Sequence, residues 1–161
     1  MPTNTQPNTQ PADTGTTHAS KVLAKLAATN AHPYVVCAAK VASAMPKGHT
    51  CTFADMGRTV AAKLGVRGNR PHVTVGKLLR QVPRDTGNGA RANGQGTYPA
   101  LTGPQWLTLL ATGSMAAALR TQGDAGKAQA ANAQVGKVLA NARTAAARRA
   151  ANGAQAGTPQ A

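Results

Sequence analysis

TFADMGRTVAAKLGVRGNRPHVTVGKLLRQVPR, residues 52–84, holds two apolar stripes of helical period on either side of a basic turn. Thr52 offers a hydroxyl that can cap a helix, and Asp55, three residues on, stands where a variant of the capping box reaches back. Phe53, Met56, Val60 and Leu64 form the first stripe, and Gly65 supplies a left-handed C-terminal residue. After the turn of residues 66–71, Val75, Leu78, Leu79 and Val82 form the second stripe. Two short helices joined by a glycine-containing turn read as a helix-turn-helix, here with a connection longer than the usual three or four residues. Lys77 and Arg80 lie off the apolar stripe of the second helix, and Arg84 falls just beyond it.

Working outward, Ser20 is placed to cap a short amphipathic helix with Val22, Leu23 and Leu26, and residues 1–19 have the composition of a disordered polar arm. Pro33 suits a first helical position, and Val35, Ala38, Ala39, Ala42 and Met45 continue at helical spacing until Pro46-Lys47-Gly48 stops the run. On the other side, five glycines punctuate residues 83–103, which read as a short hairpin wing or as a mobile loop. Pro104 opens a helix carrying Trp106, Leu107, Leu109 and Leu110, and Gly113-Ser114 is expected to separate it from a further turn reaching Leu119. Residues 125–151 are Ala-rich, with Asp124 as cap and Val135, Val138 and Leu139 as a narrow stripe. Such a segment can dock weakly, pair with a partner helix, or stay frayed until it meets an anion, and the polyanion-induced helix is the favoured expectation.

The totals set the limits. The chain has 161 residues, a formal net charge of +14 and a pI near 11.3, with 18 Lys plus Arg against four Asp and no Glu. Leu, Val and Phe number 23, of which 20 fall in residues 21–120 and three in residues 121–161. The expected organisation is therefore mainly α: a small winged helix-turn-helix-like domain over residues 20–120, a polar arm before it, and a basic Ala-rich helix or tail over 121–161. No apolar run approaches the length of a membrane span. The first twenty residues lack the features of a signal peptide, which points to a cytoplasmic or nucleoid-associated location, or to a virion.

Cys37 and Cys51 are too few for a disulfide scaffold. With Asp55 and Asp85 as the acids of the middle segment, a paired-carboxylate enzyme or carboxylate-held metal is disfavoured. Cys37, His49, Cys51 and His32 or His72 show none of the spacings of a zinc site, and Cys51 with His49 in one turn does not define an oriented nucleophile. No catalytic constellation, metal or cofactor is expected.

Residues 21–120 alone carry +11, a density that favours polyanions through counterion release, so nucleic acid is the expected partner. The candidate contacts are Thr52 with the helix start it caps, then Arg67, Arg70, His72, Thr74, Lys77, Arg80, Arg84 and Arg91, and in the tail Lys137, Arg143, Arg148 and Arg149. Scarce aromatics argue against a base-stacking single-strand platform, which leaves duplex DNA favoured over single strand or RNA.

Three blocks of the chain resemble the C-terminal DNA-binding domain of the O6-alkylguanine-DNA alkyltransferase and alkyltransferase-like family. They are Pro46-Lys47-Gly48 followed by Thr52-Phe53 and Met56; Val75-Gly76-x-x-Leu79-Arg80-x-x-Pro83; and Tyr98 followed by Trp106-Leu107-x-Leu109-Leu110. The resemblance spans about residues 33–113 and implies a DNA-binding fold whose recognition helix is the second block. The family's acceptor motif, Pro-Cys-His-Arg, is replaced by Pro83-Arg84-Asp85-Thr86, so alkyl transfer is not implied. The family's phosphate-pressing aromatic hydroxyl falls on Phe53 and its base-replacing arginine on Val73, which removes both tools of base flipping. The expected function is non-catalytic, largely sequence-independent duplex binding. A structural assembly protein of a virion or nucleoid, with self-association into a homo-oligomer, is the alternative, and a degenerate alkyl-damage sensor is a third.

Overall fold

A computed structural model describes residues 14–86 and 98–156. Six helices and one two-stranded ladder are found there: α1 (Thr14–Ala28), α2 (Pro33–Ser43), β1 (Thr50–Cys51), α3 (Phe53–Leu64), α4 (Pro71–Asp85), β2 (Leu101–Thr102), α5 (Gly103–Thr121) and α6 (Ala125–Ala156). The molecule is mainly α. No helix among the described residues is long and apolar enough to cross a membrane.

The arrangement turns on α5, which packs against α1, α2, α4 and α6 and buries residues on nearly every side. Trp106 on this helix is fully buried, and its ring lies 4.5 Å from that of Phe53, which in turn lies 4.8 Å from Tyr98. The indole Nε1–H donates to the Cys51 carbonyl at 3.1 Å, so the buried polar edge of the tryptophan is satisfied by backbone. Beside it β1 and β2 pair antiparallel, Thr50 opposite Thr102 and Cys51 opposite Leu101. Both strands lead straight into capped helices. Thr52 accepts from the Asp55 N–H at 3.1 Å, and Thr102 and Gln105 exchange the two bonds of a full capping box.

The two central stripes fold as their spacing dictates. Phe53, Met56 and Val60 of α3 and Val75 and Leu79 of α4 are buried. Gly65 ends α3 at φ 59°, ψ 38°, the left-handed cap that residues with a Cβ adopt only under strain. Leu64, last in the expected stripe and the final residue of α3, is 45% exposed. The two helices meet where neither has a side chain: a Cβ built on Gly57 would lie 2.8 Å from the His72 carbonyl oxygen and 3.3 Å from the Gly76 Cα.

Several local expectations are corrected. Helix α1 begins at Thr14, so Ser20 lies inside it and is not its first-turn cap; Ala19, Val22 and Leu26 give it a buried stripe that tolerates the earlier start. Residues 1–13 of the expected polar arm lie outside the described residues. Asp55 does not complete a capping box, because its carboxylate turns to Arg58 at 2.6 Å. Pro83 does not stop α4, which continues to Asp85 and carries Arg84 in its last turn; a proline there forgoes one hydrogen bond close to the helix end. Gly113-Ser114 does not break α5. The glycine instead admits Val82 of α4, whose side chain fills the space a Cβ would take.

Of the expected wing, residues 87–97 lie outside the described residues, while residues 101–102 pair with β1. The tail also departs from the favoured expectation of a helix waiting for an anion. α6 is helical and docked on α5, burying Ala128, Ala131, Val135, Leu139 and Ala142 at steps of three and four. Alanines extend the stripe of larger residues and let the helix lie close to α5 along several turns.

A paired substitution tests the α3–α4 crossing. Alanine in place of helical glycine gains roughly 1 kcal/mol of propensity, whereas overpacking a core costs about 1–3 kcal/mol. At Gly57 the obstacle is backbone, so Gly57→Ala is expected to lower the melting temperature; at Gly76 the nearest atom is the Arg80 Nη1 at 3.4 Å, so Gly76→Ala is expected to raise it. Thermal melts followed by circular dichroism check both signs.

Candidate nucleic-acid interface

Arg67 and Arg70 stand exposed in the six-residue link between α3 and α4, and Arg70 is the N-cap residue of α4 with no side-chain capping bond. Along α4, Thr74, Lys77, Gln81 and Arg84 are exposed at intervals of three and four residues, which places them on one face. That face is opposite the buried Val75, Gly76, Leu79 and Pro83. Arg80 is separated from it: half-buried, it lays its guanidinium over Gly76. His72 is exposed at the start of α4 and lines a groove of about 400 Å³ with Arg58, Ala61, Ala62, Gly65, Val66 and Pro71.

Two ion pairs form among the described residues, Arg58 with Asp55 and Lys127 with Asp124, both between neighbours on one helix or its cap. The cations of the α3–α4 link and of α4 take part in neither. Asp85, exposed in the last turn of α4, is the one acid from residue 67 to residue 85. Arg91 lies outside the described residues.

The remaining candidates are spread along α6. Lys137, Arg148 and Arg149 are exposed and Arg143 is half-buried. Arg149 Nη1 donates to Thr50 Oγ1 at 3.4 Å, which brings the far end of α6 to the ladder just ahead of Thr52. Lys137 is not part of this end, since twelve helical residues separate it from Arg149 by roughly 18 Å. Thr52 is exposed, with its oxygen already accepting from Asp55 N–H. Sequence reasoning had no means of pairing α6 with residue 50, because the contact spans 99 positions and depends on how α6 lies on α5.

The cysteines and histidines do not converge. Cys37 is buried in α2, and His32 uses its Nδ1 to accept the Tyr34 N–H at the start of the same helix. Cys51 is half-buried; burial, and then the Asp55 carboxylate, push its thiol above the ordinary value, which disfavours the thiolate. Among the described residues no three His, Cys, Asp or Glu side chains are grouped so as to hold a metal ion.

No protein-family model, no curated protein and no solved structure matches the chain.

One titration bears on how α6 is held. Asp124 accepts the Lys127 backbone N–H at 3.2 Å and pairs with the Lys127 ammonium at 3.3 Å, and these bonds hold its carboxyl below the ordinary value. A carboxyl lowered on folding stabilises the protein above its unfolded pKa, near 4, and loses that contribution as pH falls through the folded value. Asp124→Asn keeps a capping oxygen and removes the charge. The melting-temperature gap between the parent chain and Asp124→Asn is therefore expected to be present at pH 6 and to close below about pH 4, as read by thermal melts across pH.

Proposed function

We propose that this protein binds duplex DNA without catalysis and with little sequence preference, using α3, the link and α4 as a helix-turn-helix with α4 directed into a groove. The observation that carries the reading is the charge left over on this segment. Arg67, Arg70, Lys77, Arg80 and Arg84 face a single acid, Asp85, and none of the five enters an ion pair among the described residues. A major groove about 12 Å wide admits an α-helix, and the exposed Thr74, Lys77, Gln81 and Arg84 supply the donors that phosphates and base edges accept. The resemblance of α4 to the recognition helix of the alkyltransferase family supports the same docking mode. The absent acceptor cysteine in residues 83–86 supports binding without alkyl transfer. A structural assembly protein remains the alternative, and the docking of the α6 stripe on α5 leaves that stripe unavailable to a partner helix.

Fluorescence anisotropy of the full chain with three labelled 20-mers tests this: plain duplex, duplex with one O6-methylguanine, and single strand. With about five phosphates neutralised, raising salt from 50 to 200 mM is expected to weaken duplex binding by several hundred-fold. Plain and damaged duplex are expected to bind alike and more tightly than single strand. Affinity that stays constant with salt overturns the proposal, and a marked preference for the lesion moves the function to damage sensing.

A further inference from the structure

We propose that the last turns of α6 and the turn between α2 and β1 form a second phosphate-contact surface, separate from the α4 face, so that the domain grips a nucleic-acid backbone at two places. This rests on the nucleic-acid reading above and adds Lys47 and His49 to it. The chain approaches the site from two ends. Pro46 to His49 close a tight turn, His49 N–H donating to the Pro46 carbonyl at 3.1 Å with Gly48 at φ 84°, and Lys47 and His49 stand exposed on it. From the opposite end of the sequence Arg149 reaches Thr50 at 3.4 Å, and Arg148, the residue before it on α6, is exposed.

The distances make one surface of these groups. Three residues of chain span at most about 11 Å, so Lys47 and Thr50 are no farther apart than that. This is close to one Debye length, about 10 Å at 0.1 M salt. The backbone of Lys47 and the guanidinium of Arg149 therefore both lie within about that length of Thr50. None of Lys47, Arg148 and Arg149 is in an ion pair among the described residues, and the acid nearest along the chain, Asp55, holds Arg58 at 2.6 Å.

A structural peg alone does not account for this grouping. One bond to Thr50 uses one of the five N–H donors of the Arg149 guanidinium, and no other bond of that guanidinium forms among the described residues. The hydroxyls of Thr50 and Thr52, whose oxygens accept from Arg149 and from Asp55 N–H, donate to no acceptor among the described residues. Mutually repelling cations beside two hydroxyl donors match a run of backbone phosphates, which supplies anionic oxygens at regular intervals.

The test is a salt titration of duplex binding with four full-length proteins: the parent chain, Lys47→Gln with Arg149→Gln, Lys77→Gln with Arg84→Gln, and a charge-matched control, Lys21→Gln with Lys25→Gln. All six wild-type side chains replaced in these pairs are exposed, and circular dichroism melts establish that each variant folds. Losing two phosphate contacts lowers the slope of log affinity against log salt by about 1.8. That decrease is expected for the Lys47/Arg149 and the Lys77/Arg84 pairs and not for the control. A Lys47/Arg149 slope equal to the parent's, or a control that falls equally, overturns the second surface while leaving the α4 reading in place. A parent slope near zero overturns the nucleic-acid reading itself. Thr50→Val removes the peg and keeps the charges; its slope is expected to match the parent's, and a fall like that of the Lys47/Arg149 variant means that Arg149 acts by holding α6, which also overturns the contact role.

Discussion

The bond from the Trp106 indole to the Cys51 carbonyl sets the geometry on which the rest of the molecule depends. Trp106 sits on α5, the helix that α1, α2, α4 and α6 all touch, and Cys51 is the last residue of β1, directly before the cap of α3. One side chain thus fixes the central helix against the start of the α3–α4 pair. Truncating it would empty the largest fully buried volume of the core and strand the carbonyl, two costs that add. Phe53 stacks beside it, which is why that position serves packing and has nothing to offer a phosphate.

Around this aromatic centre the core is built of small residues. Thirty-five alanines and seventeen glycines leave little apolar area per residue, so helices must approach closely to gain dispersion contacts. The close approaches occur at Gly57 against His72 and Gly76, at Gly103 against the Ala42 carbonyl, and at Gly113 against Val82. Along α6 the alanines do the same work. A helix with three large apolar residues docks because Ala128, Ala131 and Ala142 leave no bulk between it and α5.

This is also where the sequence was least readable. The stripes of residues 53–60 and 75–82, the Gly65 cap, the Thr52 cap and the Asp124 cap follow from spacing and local chemistry, and the structure has all of them, while Leu64 falls outside the first stripe. Gly113 and Pro83 misled because their usual local meaning, a break, gave way to a tertiary one: room for Val82 in one case, a buried position in the last turn in the other. The α6 docking was hidden because an alanine stripe is indistinguishable in sequence from alanines chosen for helix propensity alone. At the candidate interface, the exposure of Lys77 and Arg84 follows from their place off the stripe, whereas the turning of Arg80 over Gly76 and the meeting of Arg149 with Thr50 depend on side-chain direction and on a contact 99 residues apart.

The distribution of acids gives the charge its meaning. Of the four aspartates, Asp55 and Asp124 are spent within a helical turn, each at the N-terminal end of a helix where a carboxylate complements both the free N–H groups and a cation three residues on. Neither is positioned to neutralise a basic face. Solubility needs far less than this surplus, and a compact chain at +14 pays for it in self-repulsion. An external polyanion removes that repulsion when it binds, so under the proposed reading the same imbalance that weakens the free protein strengthens the complex. Stability and affinity should then move in opposite directions as neutral residues replace the unpaired cations, a coupling that a merely solubilising surface would not produce.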